Sequence, residues 1–244
     1  MKQKIAYLTI DDSPTGDFEE KVDFLDSRGI KVIWFCVGEE LEKFEDKAIY
    51  AIKKGHILGN HSYNHIHFSE ISLDEAQKQI EKTDKIIEEF YRKAKIKRPI
   101  KVFRFPYLDN GDKNEYGETN WDNKNVKAIQ NILKKLRYEQ PKFENINYEW
   151  FEKAGFDKCL NVDCTYDSFD WVLKKNEEMH GYHDLPSILK RIDEDIPERG
   201  RGLNNSKSNE IIMMHAWIPL KAFKTLIGKI INKGIIFKLP CIKE

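Results

Sequence analysis

Short apolar runs alternate with longer amphipathic segments along the whole of this 244-residue chain, and that alternation narrows the fold more than any other feature. KIAYLTI (4–10), VIWFCVG (32–38), HILGN (56–60), IKVFRF (100–105), CLNVDC (159–164), EIIMMHA (210–216) and GIIFKL (234–239) read as strands. Helical spacing of apolar residues fills the intervals near 17–28, 40–54, 73–95, 125–136, 184–194 and 219–232. Gly29 and Gly55 stop the first two of these helices. Strands alternating with helices in one domain predict an α/β fold with a mostly parallel sheet.

A parallel sheet has a chemical consequence, because the carboxyl ends of its strands open on one side. The polar residues of this chain sit at those ends. Asp11 and Asp12 follow the first strand, His61 and His65 the third, and Arg104 closes the fourth. Asp163, Asp167 and Asp170 lie at or after the fifth, and His215 ends the sixth. Residues distant in sequence are therefore expected to meet in one cleft.

GNHSYNHIHF (59–68) holds three of the seven histidines. His61 and His65 are four apart, which on a helical turn places both on one face, within reach of a single metal ion. A zinc-protease helix has Glu beside the first His as its base; here Ser62 stands in that place, so a base and a third ligand must come from elsewhere. TIDDSPT (9–15) offers both. A turn with a capping Asp explains Ser13-Pro14 and one carboxylate. It does not explain two adjacent carboxylates after an apolar strand, which repel unless a cation holds one of them. Asp12 with His61 and His65 would complete a two-His, one-carboxylate set with open positions, leaving Asp11 to act as a base towards water.

Other classes are disfavoured. Lys plus Arg and Asp plus Glu number 41 each, which argues against nucleic-acid binding through bulk charge. No apolar run approaches the roughly 18 residues of a membrane span. The apolar part of MKQKIAYLTIDDSPT is only IAYLTI, with acidic residues at once behind it, which reads as a strand and not as a signal peptide. The chain is expected to be cytoplasmic, or secreted if an export signal has been removed. The four cysteines show no C-x-x-C spacing, and Cys36 and Cys164 are expected to be buried free thiols.

IDDSP, HSYNH, RFPY, DSFDW and IIMMH occur in that order, each at a predicted strand end. Together they resemble the five motifs of the polysaccharide deacetylases, carbohydrate esterase family 4, over roughly residues 4–239. The resemblance implies a distorted (β/α) barrel of about seven mostly parallel strands in a single catalytic domain. It implies Asp11 as general base, Asp12, His61 and His65 as ligands of one divalent metal, and Arg104 as the partner that orients the base. It further implies His215 as general acid, Asp167 as the carboxylate that tunes it, Tyr107 as a backbone N–H donor to the oxyanion, and Trp171 as an apolar wall of the acetyl pocket. Asp163 and Asp170 compete with Asp167 for the place beside His215, and the residues alone leave that open.

The implied activity is metal-dependent removal of acetyl groups from an N-acetylated sugar or oligosaccharide. Zinc is the expected ion, with cobalt, nickel or another transition metal compatible with mixed N/O ligands. A small non-sugar amide is the alternative substrate, and an inactive carbohydrate-binding protein the non-enzymatic alternative; retention of both Asp11 and His215 speaks against the latter. Three positions depart from the pattern: Ser13 and Leu108 stand where the family has Gly, and Ala216 where a polar residue is common. Leu108 changes the wall that meets substrate. Residues 108–158 are expected to form an insertion packed on the barrel, built around a helix at 125–136.

Overall fold

The first strand, β1 (Ile5–Ser13), lies in the middle of a parallel sheet and carries the rest of the architecture. This computed structural model describes residues 3–113, 119–175, 178–195 and 203–242. The other strands are β2 (Ile33–Cys36), β3 (Ile57–Asn60), β4 (Tyr166–Asp167), β5 (Glu210–His215) and β6 (Ile236–Phe237), in the order β3-β2-β1-β5-β4, with β6 paired to the start of β1. Every pairing between these strands is parallel. The helices are α1 (Phe18–Asp26), α2 (Gly38–Lys43), α3 (Glu45–Lys53), α4 (Leu73–Ala94), α5 (Lys124–Lys135), α6 (Glu149–Lys153), α7 (Val172–Lys175), α8 (Leu185–Arg191) and α9 (Leu220–Asn232).

The ring closes through two single bridges. Phe103 pairs with Asn60 on one side and with Asn161 on the other, and residues from 161 run straight on into β4. The expected strands at 100–105 and 159–164 are therefore reduced to bridged positions within a distorted barrel. The physical reason is local. Pro106 ends the first segment, and the carbonyls of Val162 and Asp163 accept from the Arg104 side chain, at 3.0 and 3.2 Å, in place of a neighbouring backbone. The expected helix at 40–54 is divided into α2 and α3 at Phe44, whose φ −126° and ψ 40° are not helical.

Both β2 and β3 are buried along their whole length, as suits strands covered on two faces. Trp34 packs edge-on against Phe18 of α1 and stacks with Phe223 of α9, in the layer between sheet and helices. Gly59 is required by close approach: a Cβ there would lie 2.7 Å from the Phe35 ring and 2.9 Å from Val102. That contact lets β3 reach the bridge that closes the ring. Ile129 and Leu133 of α5, with Tyr138, pack on Phe68, Phe103 and Phe105. Tyr148, Phe151 and Phe156 join Ile33, Phe35 and Val102. Residues 114–118 of the expected insertion lie outside the described residues. Cys36, Cys159 and Cys164 are buried free thiols, and Cys241 is exposed. Among the described residues no helix is long and apolar enough to cross a membrane.

Candidate active site

β1 delivers both aspartates to the same cleft because its last residues are not regular. Neighbouring side chains on an ordinary strand point to opposite faces. Here the pairing with β2 slips between Ile10 and Ser13, and Asp12 adopts φ +57°. Aspartate is among the few non-glycine residues that enter this left-handed region readily. Ser13, where the family pattern has Gly, is not among the residues of positive φ and so tolerates its side chain.

Asp11 is 3% exposed and its Oδ1 accepts from Arg104 Nη1 at 2.8 Å. Arg104 is completely buried and also donates to Thr9 Oγ1 at 2.7 Å, in addition to the two carbonyls already described. Its guanidinium sits 4.5 Å over the Phe35 ring. The planar fork of donors is matched by acceptors from two separate chain segments, β1 and residues 162–163, so Asp11 is held in one direction.

Asp12, His61 and His65 bring their ligand atoms within 4.8 Å of one another. The histidines are not on a helical turn, as their spacing suggested, but on the loop after β3. Ser62 (φ +64°) and His65 (φ +56°) both take the left-handed conformation, supported by a bond from Ser62 N to Asn60 Oδ1 and one from His65 N to Ser62 Oγ. His61 Nδ1 lies 2.8 Å from the Arg104 carbonyl, which it meets as N–H donor, so the Nε2 lone pair is left for a ligand. Asp12 Oδ1 lies 3.0 Å from His65 Nε2 and 3.6 Å from His61 Nε2. It is buried and accepts no hydrogen bond. Tetrahedral zinc with bonds of ~2.0–2.2 Å has ligand atoms roughly 3.3–3.6 Å apart, so an orphaned oxygen facing two imidazole nitrogens at these distances fits a cation. Burial opposes charge on Asp12, but the imidazoles of His65, His215 and His61 hold its carboxyl far below the usual range. Burial pulls His61 down to about 4, which keeps its ring neutral, as a ligand must be, at ordinary pH.

His215 stands at the end of β5, in register with Asp11 on β1. Its Nδ1 lies 2.7 Å from Asp170 Oδ1, and its backbone N–H donates to Asp170 Oδ2 at 2.8 Å. Burial alone would discharge the ring; the Asp170 carboxylate, helped by Asp12 and Asp11, prevails and raises its pKa to about 10. The partner of His215 is thus Asp170, not Asp167. Phe169 has φ +58° and turns the chain between the two aspartates. Asp167 is occupied elsewhere, accepting from Phe169 N at 2.9 Å and from Trp171 Nε1 at 3.3 Å. Asp163 accepts from Cys164 N.

These groups line a cleft of about 700 Å³ whose walls include Tyr107, Leu108 and Trp171. Tyr107 is 48% exposed and stacks on His67 with ring centres 3.7 Å apart. His67 Nδ1 is in turn 3.5 Å from Asp109 Oδ2, so the third histidine of the cluster supports the wall and does not join the metal trio. Leu108 has φ +56°, the conformation that explains a glycine in the family pattern. Three site residues were not foreseen. Thr9 binds Arg104; Lys174 and Trp217 line the cleft, and Trp217 Nε1 donates to Asp12 Oδ2 at 2.7 Å. An aromatic two places beyond His215 gives no signal of this kind in sequence, since such a residue usually reads as core.

Comparisons with known proteins bear on the family and the fold. The profile of a family described as polysaccharide deacetylase matches residues 1–126. A peptidoglycan-N-acetylglucosamine deacetylase of Bacillus cereus is 37% identical over 87 residues, 35% of this chain and 31% of that one. The chain therefore spans well under two thirds of this curated relative. Among solved structures, the peptidoglycan deacetylase PdaC of Bacillus subtilis superposes with a TM-score of 0.61 at 20% identity, covering 97% of this chain and 87% of the other. A carbohydrate esterase family 4 pseudoenzyme of Bacillus anthracis gives a TM-score of 0.62 at 18% identity, covering 97% and 63%. These structural likenesses speak to the fold alone.

Proposed function

The chain belongs to the polysaccharide deacetylase family, and from that premise we propose that it is a metal-dependent hydrolase removing acetyl groups from an N-acetylated glycan. One observation carries the reading. At adjacent strand ends, a buried carboxylate locked to Arg104 and an imidazole locked to Asp170 flank three side chains that fit a cation. Because the same fold also houses a pseudoenzyme, the fold by itself does not support activity. The presence of both Asp11 and His215 does.

Amide hydrolysis needs a polarised carbonyl, a deprotonated water and a protonated leaving amine. A divalent cation held by Asp12, His61 and His65, for which we propose zinc, supplies Lewis-acid polarisation and lowers the pKa of water. Asp11 takes the water proton, its direction fixed by Arg104. His215 donates from Nε2 to the amine nitrogen as the C–N bond breaks, giving acetate and a free amine. The backbone N–H of Tyr107 is our candidate for a further donor to the oxyanion. Leu108 and Trp171 form the apolar surface for the acetyl methyl group. The substrate class follows the relative from Bacillus cereus, which is named for deacetylating peptidoglycan N-acetylglucosamine. Acetate release from a panel of N-acetyl sugars and oligomers, with and without added divalent cations, tests the reading. No release from any member with any cation would end it.

A further inference from the structure

Trp217 stands where the cleft meets a second groove, and Asp12, His65, Lys174 and Trp217 line both. Its indole N–H donates to Asp12 Oδ2 at 2.7 Å, while Oδ1 of the same carboxylate faces the two imidazoles without a hydrogen bond. The two oxygens are thereby made unequal: one is engaged by a neutral donor and the other is left for a cation. The indole is itself held. It packs on the His215 ring at 5.1 Å between centres, and Lys174 Nζ lies 4.8 Å over the indole ring. The backbone that presents it is clamped at Ala216. Ala216 N donates to Asp11 O at 2.8 Å, and its carbonyl accepts from Lys21 Nζ at 2.7 Å and from Thr15 Oγ1 at 3.3 Å. Lys21 is fully buried, with its second contact to Asp17.

We propose that Trp217 is a positioning residue that restricts Asp12 to one ligating oxygen and so sets cation affinity and coordination number at the proposed site. The inference rests on the metal-dependent reading above. A carboxylate free to rotate can chelate through both oxygens; one whose Oδ2 is tied to an N–H on a clamped backbone presents only Oδ1. Donors to ligating groups of this kind typically contribute 10–100-fold in metal affinity or activity.

Two substitutions separate the hydrogen bond from the bulk of the ring. Trp217→Phe keeps an apolar ring and deletes the donor. Trp217→Gln deletes the ring but carries an N–H the same number of bonds from Cα. The full chain is titrated with Zn²⁺ against a chromophoric chelator, without substrate, and the Co²⁺ visible spectrum is recorded for each variant. Trp217→Phe is expected to bind 10–100-fold more weakly and to show the weaker absorption of a higher-coordinate Co²⁺ centre, with Trp217→Gln near wild type in both. Equal affinity and an unchanged spectrum for Trp217→Phe, or equal losses in both variants, would overturn the proposal. A further measurement needs no substitution: in ¹⁵N-labelled wild-type protein, the Trp217 indole N–H should exchange slowly and shift on cation addition, and an indole signal that does neither would also overturn it. If wild-type protein binds no cation at all, the metal-dependent reading itself fails, an outcome distinct from wild-type binding that is indifferent to Trp217.

Discussion

Replacing Asp170 with Asn isolates the electrostatics of the proposed acid. The carboxamide is nearly the same size and keeps an oxygen for the His215 backbone N–H, but it removes the charge 2.7 Å from Nδ1. In the wild-type protein burial lowers the His215 pKa and Asp170 chiefly raises it, the balance standing at about 10. A cation on Asp12 would offset the smaller contributions of Asp12 and Asp11 but not that of Asp170. Without Asp170 burial prevails, and the ring titrates at or below its ordinary value of ~6.5. At pH 8 only about 3% of the acid would then be protonated, so the rate of acetate release should fall by roughly 30-fold or more. Near pH 5 most of that loss should be regained, since a ring of ordinary pKa is again largely protonated there, while His61 stays neutral down to about 4. The stability effect has a definite sign. A histidine whose folded pKa is raised contributes stability that is complete below ~6.5 and lost as pH rises through about 10. Urea unfolding of Asp170→Asn and wild type should therefore differ most at pH 6 and converge at high pH. Equal rate ratios at pH 5 and pH 8 would refute the reasoning, because they would show that Asp170 acts by shape and not by charge.

The paired aspartates should separate by function: Asp12→Asn is expected to lower bound metal, whereas Asp11→Asn should retain it and lose turnover by ~10²–10⁴-fold, as metal stoichiometry beside acetate release will show. Arg104→Ala should damage folding before catalysis, since it leaves Asp11 buried without its cation and strands three further acceptors; breaking such a pair costs about 3–5 kcal/mol, which denaturant unfolding would detect. Leu133→Ala on α5 should cost about 2–5 kcal/mol in a single cooperative transition if the 108–158 segment is, as we propose, part of one domain; a separate early transition or a stable proteolytic fragment would contradict that.

Much of this was legible in the sequence, and the gaps share a cause. Buried strands such as VIWFCVG announce themselves by composition, and a parallel sheet places polar residues such as Asp11, His61 and His215 at one face whatever the loops do. What periodicity cannot show is a residue that leaves the regular backbone. Asp12, Ser62, His65, Leu108 and Phe169 all have positive φ, and each changes where its neighbours point. The turn at Phe169 is why Asp170, and not Asp167, meets His215. The single-residue bridges at Phe103 failed to read as such because a side chain, Arg104, takes carbonyls that a strand would otherwise use. Trp217 stayed invisible because its contribution is one N–H aimed at a residue 205 positions away.

Arg104 has a bearing on how the molecule comes into being. It joins β1 to the segment at 162–163 across separations of 93 and 59 residues. Contacts so distant in the chain form late, after much loop-closure entropy has been spent. During synthesis β1 emerges before its partners: the arginine that orients its aspartate follows Asp11 by 93 residues, and the carbonyls that anchor that arginine follow it by a further 58 and 59. A half-made chain thus has a carboxylate but no directed base, and hydrolytic competence arrives together with ring closure.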